Sequence, residues 1–118
     1  ACGIPARIVS GFWLNDAQGL PLTAPGSQAM HAWVEAFLPD ESWLPLDPSV
    51  STLRKEGRTK RVGEIGNIGS DRIITSYGAG IPVKIGEELH PVPILQGPIL
   101  IPATPLIKVD HSIITEKA

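Results

Sequence analysis

Short apolar runs separated by polar, Gly- and Pro-bearing stretches mark the first two thirds of this chain, which predicts strands rather than helices. Ala6–Leu14, with its run of β-branched and aromatic residues, predicts a first strand. Asn15–Gln28 carries two Gly and two Pro and reads as a loop. Met30–Leu38 predicts a second strand and Trp43–Leu46 a short third. Val50–Asp71, with four Gly, reads as a long polar connection, and Arg72–Tyr77 as a fourth strand stopped by Gly78-Ala79-Gly80. The last third is different. Pro82, Pro91, Pro93, Pro98, Pro102 and Pro105 interrupt an Ile/Leu/Val-rich sequence. Proline has no N–H to give a sheet ladder, so these segments are expected as edge strands or as coil crossing the sheet. The apolar residues between the prolines favour packed edges over a binding groove or interdomain linker.

Composition narrows this picture. Twelve Gly and twelve Pro in 118 residues leave few windows for three uninterrupted helical turns. A chain of this length supports one domain with a core, and 42% hydrophobic against 19% charged residues fits a globular chain. The net charge of -2 gives no reason to expect nucleic acid or an anionic membrane as partner. Arg54, Lys55, Arg58, Lys60 and Arg61 form the one basic cluster, read as a solvated loop. No run approaches the ~20 apolar residues of a membrane-spanning helix. The single Cys forms no internal disulfide. His90 and His111 lack metal-ligand spacing, and Gly63–Gly69 lacks the Lys-Ser/Thr of a phosphate loop, so no metal or cofactor is expected.

The chemistry concentrates in His31-Ala32-Trp33-Val34-Glu35 and Trp43-Leu44-Pro45-Leu46-Asp47-Pro48-Ser49. Alternation puts His31, Trp33, Glu35 and Phe37 on one face, and Trp43, Pro45 and Asp47 on one face of the next strand. A three-residue loop, Pro39-Asp40-Glu41, would set Phe37 opposite Trp43, Trp33 opposite Asp47 and His31 opposite Ser49. Asp47 would then be the diagonal neighbour of His31, ~7–8 Å away by backbone and bridgeable by the side chains. A slip of one residue would send Asp47 to the other face. A carboxylate that holds an imidazole in one tautomer makes it a general base. Trp33 is a candidate wall of that site, and Glu35 a partner for Arg7.

Three ordered motifs, Gly3-Ile4-Pro5-Ala6-Arg7-Ile8-Val9-Ser10-Gly11-Phe12, His31–Glu35 and Trp43–Ser49, resemble the core of the transglutaminase-like superfamily, and Asp71–Gly78 resembles the strand that follows in many members. The resemblance covers about residues 3–80. It implies an α+β family core, of which this chain is mainly antiparallel β-sheet with little helix. Residues 1–80 are then the C-terminal, sheet-bearing part of that core, and 81–118 a proline-rich extended tail. It also implies a Cys–His–Asp triad doing acyl transfer or hydrolysis at protein or peptide amide bonds, with His31 as base and Asp47 as its orienter. Family breadth points to a prokaryotic hydrolase or protease rather than a cross-linker. The alternative is a non-catalytic binding or structural module on the same fold.

Cys2 does not suit the nucleophile. In the family that thiol starts a helix ending just before the Gly-Ile-Pro-Ala-Arg strand, where exposed N–H groups favour a thiolate. Here Gly3 resembles the residue that ends such a helix, which places Cys2 in its last turn. The expectation is therefore a fragment beginning after the catalytic helix, inactive by itself, and prone to self-association through an uncovered apolar sheet face.

Overall fold

The computed structural model describes residues 2–23, 29–94 and 113–114. Mainly antiparallel β-structure is what it shows. Strands β1 (Ala6–Trp13), β2 (Met30–Phe37), β3 (Trp43–Leu46) and β4 (Arg72–Tyr77) form one sheet in the order β3-β2-β1-β4. Helix α1 (Pro48–Lys55) follows β3, and β5 (Ile81–Ile85) pairs with β6 (Glu88–Val92) in a separate two-stranded sheet.

The β2–β3 hairpin has even register, with Phe37 opposite Trp43 and Val34 opposite Leu46. Its loop is Pro39-Asp40-Glu41, closed by Leu38 N–H donating to Ser42 O at 2.9 Å. Glu41 takes the left-handed conformation (φ 64°) that such three-residue loops need at their last position. Asp40 Oδ1 steadies the turn by accepting from the Ser42 amide at 3.1 Å and its hydroxyl at 2.6 Å. The loop thus sets the register on which the site depends.

A bulge decides the other side of the sheet. Along β1 and β4, Val9 faces Tyr77 and Ser10 faces Ser76, but Gly11 faces Ile74 and Trp13 faces Arg72, a slip of one residue between Ser10 and Gly11. The slip brings the Ile73 carbonyl against Gly11, so that a Cβ there would lie 2.0 Å from Ile73 O. Glycine is required at position 11 by lack of room. Because faces alternate, the slip also turns Arg72 onto the face of Trp13. That face, with Val9, Trp13 and Trp33, is the buried one. The opposite face, with Ile8, Phe12, Ala32, Val34 and Leu46, is half-buried.

Helix α1 corrects the expectation of an unbroken polar connection from Val50. Asp47 is its N-cap, Pro48 occupies the first turn, and Arg54 and Lys55 close the last. Proline is suited there because its missing N–H has no partner in a first turn. At the far end Arg58 N–H donates to Leu53 O at 2.9 Å and Gly57 N–H to Arg54 O at 3.0 Å, with Gly57 at φ 71°. This is the Schellman ending that favours glycine.

The basic cluster is not uniformly solvated, which corrects that reading too. Arg61 is largely buried: its guanidinium sits 3.9 Å from the Trp13 ring centroid and donates to the Asn15 backbone. In the tail, Pro82 and Pro91 face each other across β5 and β6, which pair together and do not cross the main sheet. Pro98, Pro102, Pro105, His111 and residues 24–28 of the first loop lie outside the described residues. Among the described residues no helix is long and apolar enough to cross a membrane, and no group of three His, Cys, Asp or Glu could hold a metal ion.

Candidate active site

His31 lies near the start of β2, opposite Gly11 of β1. Asp47 lies one residue beyond β3, where the chain turns into α1. The even hairpin register puts them on one face, and His31 Nε2 approaches Asp47 Oδ2 to 2.8 Å. The aspartate side chain is 1% exposed and the histidine 18%. Nδ1 of His31 makes no hydrogen bond to any described residue. His31 is among the residues lining an open cleft of about 480 Å³ that also meets Ala32, Val34, Pro48, Ser49 and Ile94.

Asp47 has two duties and four donors. Oδ2 accepts from His31 and from Arg72 Nη1, each at 2.8 Å. Oδ1 accepts from the Val50 amide at 3.2 Å, as a helix cap, and from the Ser49 hydroxyl at 2.8 Å. Burial by itself would raise the pKa of this carboxyl. The hydrogen bonds from His31, Arg72, Ser49 and Val50 outweigh it and hold the carboxyl well below the usual carboxylate range.

That depression has a pH signature. A carboxyl whose folded pKa lies below its unfolded value of ~3.9 contributes stability that is fully present above the unfolded value. The contribution is lost as pH falls through the folded value. Urea midpoints of the wild type should therefore drop between about pH 5 and pH 2, and the drop should be smaller in Asp47→Asn. Equal slopes in the two proteins would show that Asp47 carries none of the acid sensitivity.

Aromatic and guanidinium groups build the walls. Trp13 stacks on the imidazole with centroids 4.5 Å apart, and Trp33 lies at 6.3 Å. Arg61 and Arg72 sit over the Trp13 ring at 3.9 and 4.3 Å. Glu35 is bound to Arg7 by contacts of 2.8 and 2.6 Å, away from the imidazole, and Arg7 is flanked by Trp43 and Tyr77. Cys2 is exposed. It precedes the Ala6 end of β1, which pairs with Ala36, whereas His31 faces Gly11 toward the other end of that strand.

Trp13, Arg61 and Arg72 were not legible as site residues from alternation. A signal existed in Gly11, since an isolated glycine inside a strand marks a bulge, and in Asp47-Pro48-Ser49, which is a helix-start pattern.

The match to known families falls on the same segment. Residues 1–48, which include His31, Asp47 and Trp33, fit the model of the transglutaminase-like superfamily core. This part of the chain resembles the transglutaminase-like core. It is similar to the protein-glutamine gamma-glutamyltransferase of Pseudomonas aeruginosa, with 40% identity over 55 residues, covering 42% of this chain and 8% of that protein. The chain thus matches a small part of its relative's length. No solved structure matches it. Within the matched segment and its neighbours, the structure places the imidazole and carboxylate in hydrogen-bond contact, and the second ring nitrogen has no hydrogen-bond partner among the described residues.

Proposed function

We propose that this chain supplies the base and its orienting carboxylate to a Cys–His–Asp acyl-transfer centre. The observation that carries the reading is the 2.8 Å bond from His31 Nε2 to Asp47 Oδ2, two residues that line one cleft. In the neutral ring that bond puts the proton on Nε2 and leaves a lone pair on Nδ1. Nδ1 takes the proton of a thiol, and the thiolate attacks an amide carbonyl. The oxyanion collapses, nitrogen leaves with the proton returned from His31, and a thioester remains for an amine or water to resolve. Cys2 is exposed before the Ala6 end of β1, and in this reading the thiol comes from another part of the whole protein. The half-buried apolar face is suited to receive the helix that bears it.

The relative's printed activity supports the γ-carboxamide of a protein glutamine as acyl donor. Resolution by an amine is then the first reaction to examine, ahead of the hydrolysis suggested by family breadth. The test is incorporation of a fluorescent primary amine into a glutamine peptide by the whole protein. His31→Ala should lower the rate by about 10³-fold or more, and Asp47→Asn by about 10²–10⁴-fold. Undiminished incorporation by His31→Ala would remove His31 from the mechanism. A wild type that releases no ammonia from the peptide, with or without amine, would favour the non-catalytic module.

A further inference from the structure

Among the described residues, Arg72 is a buried side chain at the site that the triad leaves unused. Its side chain is 4% exposed and is held from several directions. Nη1 donates to Asp47 Oδ2 at 2.8 Å and Nη2 to the Val62 carbonyl at 3.3 Å. Nε lies 3.7 Å from Asp71 Oδ1, and the guanidinium is 4.3 Å from the Trp13 ring and 5.0 Å from the Trp33 ring. A guanidinium so packed has little freedom to turn, and it does not deprotonate. It can only donate. Any oxygen it faces must accept, and a protonated carboxyl would set an O–H against donors on both oxygens.

We propose that Arg72 is the positioning residue of this centre, fixing Asp47 as an ionised acceptor and thereby fixing the proton of His31 on Nε2. The inference rests on the reading of His31 and Asp47 given above. Oδ2 is shared between Arg72 and His31, while Oδ1 is occupied by the Ser49 hydroxyl and the Val50 amide. Two of these partners, Arg72 Nη1 on Oδ2 and the Val50 amide on Oδ1, can only donate, so each oxygen carries one obligate donor. The order of control runs from Arg72 to Asp47 to the imidazole, and it leaves the Nδ1 lone pair to accept the proton of a thiol. The bulge at Ser10/Gly11 makes this arrangement available by turning Arg72 to the site face.

Nitrogen-15 NMR of the His31 ring tests the proposal without relying on turnover. The wild type should show the Nε2–H tautomer with a slowly exchanging ring proton. In Arg72→Gln that exchange should speed up by about tenfold or more, as expected when one bond of a buried polar network is removed. The same substitution made in Asp47→Asn should change His31 little, because the path through the carboxylate is already broken. Arg72→Lys keeps the charge without the fixed fork and should fall between wild type and Arg72→Gln; it serves as the deciding variant where the glutamine protein fails to fold. His31 exchange unchanged in the folded variants, or an Arg72 effect of equal size in Asp47→Asn, would overturn the proposal. Absence of the Nε2–H tautomer in the wild type would instead sink the reading of the site itself.

Discussion

Asp47→Ala should cost the folded chain about 3–5 kcal/mol, the usual consequence of removing one partner of a buried ion pair. Arg72 is 4% exposed by side chain, and Asp47 is its 2.8 Å partner; the long approach to Asp71 at 3.7 Å does not replace that bond. The substitution also removes the α1 cap, leaving the Val50 amide, at a residue 2% exposed, without its acceptor. Asp47→Asn should be less damaging by about 1 kcal/mol, because an asparagine oxygen still caps a helix. Its amide nitrogen would meet the donors of His31 and Arg72. Urea denaturation near neutral pH measures both. Given native stabilities of about 5–15 kcal/mol, a loss of this size would leave little margin. Two variants within about 0.5 kcal/mol of wild type would mean that the carboxylate holds nothing together, since that is the range of indifferent surface changes.

Gly11→Ala should be comparably severe for an unrelated reason. The added methyl would lie 2.0 Å from the Ile73 carbonyl oxygen and 2.9 Å from its carbon, with the Trp33 ring at 3.2 Å. The first two are backbone atoms of the neighbouring strand, so no rotamer change relieves the clash. Either β4 moves away from β1 or the bulge straightens. A straightened register would restore the alternation seen at Val9–Tyr77 and turn Arg72 to the opposite face. The expected loss is about 3 kcal/mol or more, beyond the ordinary range for one extra methyl in a core. Thermal unfolding checks the loss. A near-neutral Gly11→Ala would show that β4 does not close on β1 in this way.

These two residues mark where sequence reasoning succeeded and where it stopped. The hairpin between Phe37 and Trp43 was legible because strand faces have a strict period of two and the loop between them is short. His31 and Asp47 could therefore be placed together by parity alone. Helix α1 was missed because Asp47 was read only as the end of a strand, although Asp47-Pro48 is also a cap followed by a first-turn proline. Arg72 was missed for a deeper reason. Counted back from Tyr77 by alternation, it belongs on the face away from Trp13, and only the slip at Gly11 reverses it. Periodicity carries no information about an inserted residue. Arg61 likewise looked like part of a solvated basic run, because its burial depends on Trp13 and Asn15, more than forty positions away.

In the proposed reaction His31, oriented by Asp47, takes the proton of a thiol during acyl transfer. Single-turnover acylation of the whole protein by a glutamine peptide, quenched in acid and read by intact mass, tests it most directly. The expected result is a wild-type acyl-thioester, formed with loss of ammonia, and at least ~10³-fold slower acylation in His31→Ala. Thioester formation at the wild-type rate in His31→Ala would contradict it.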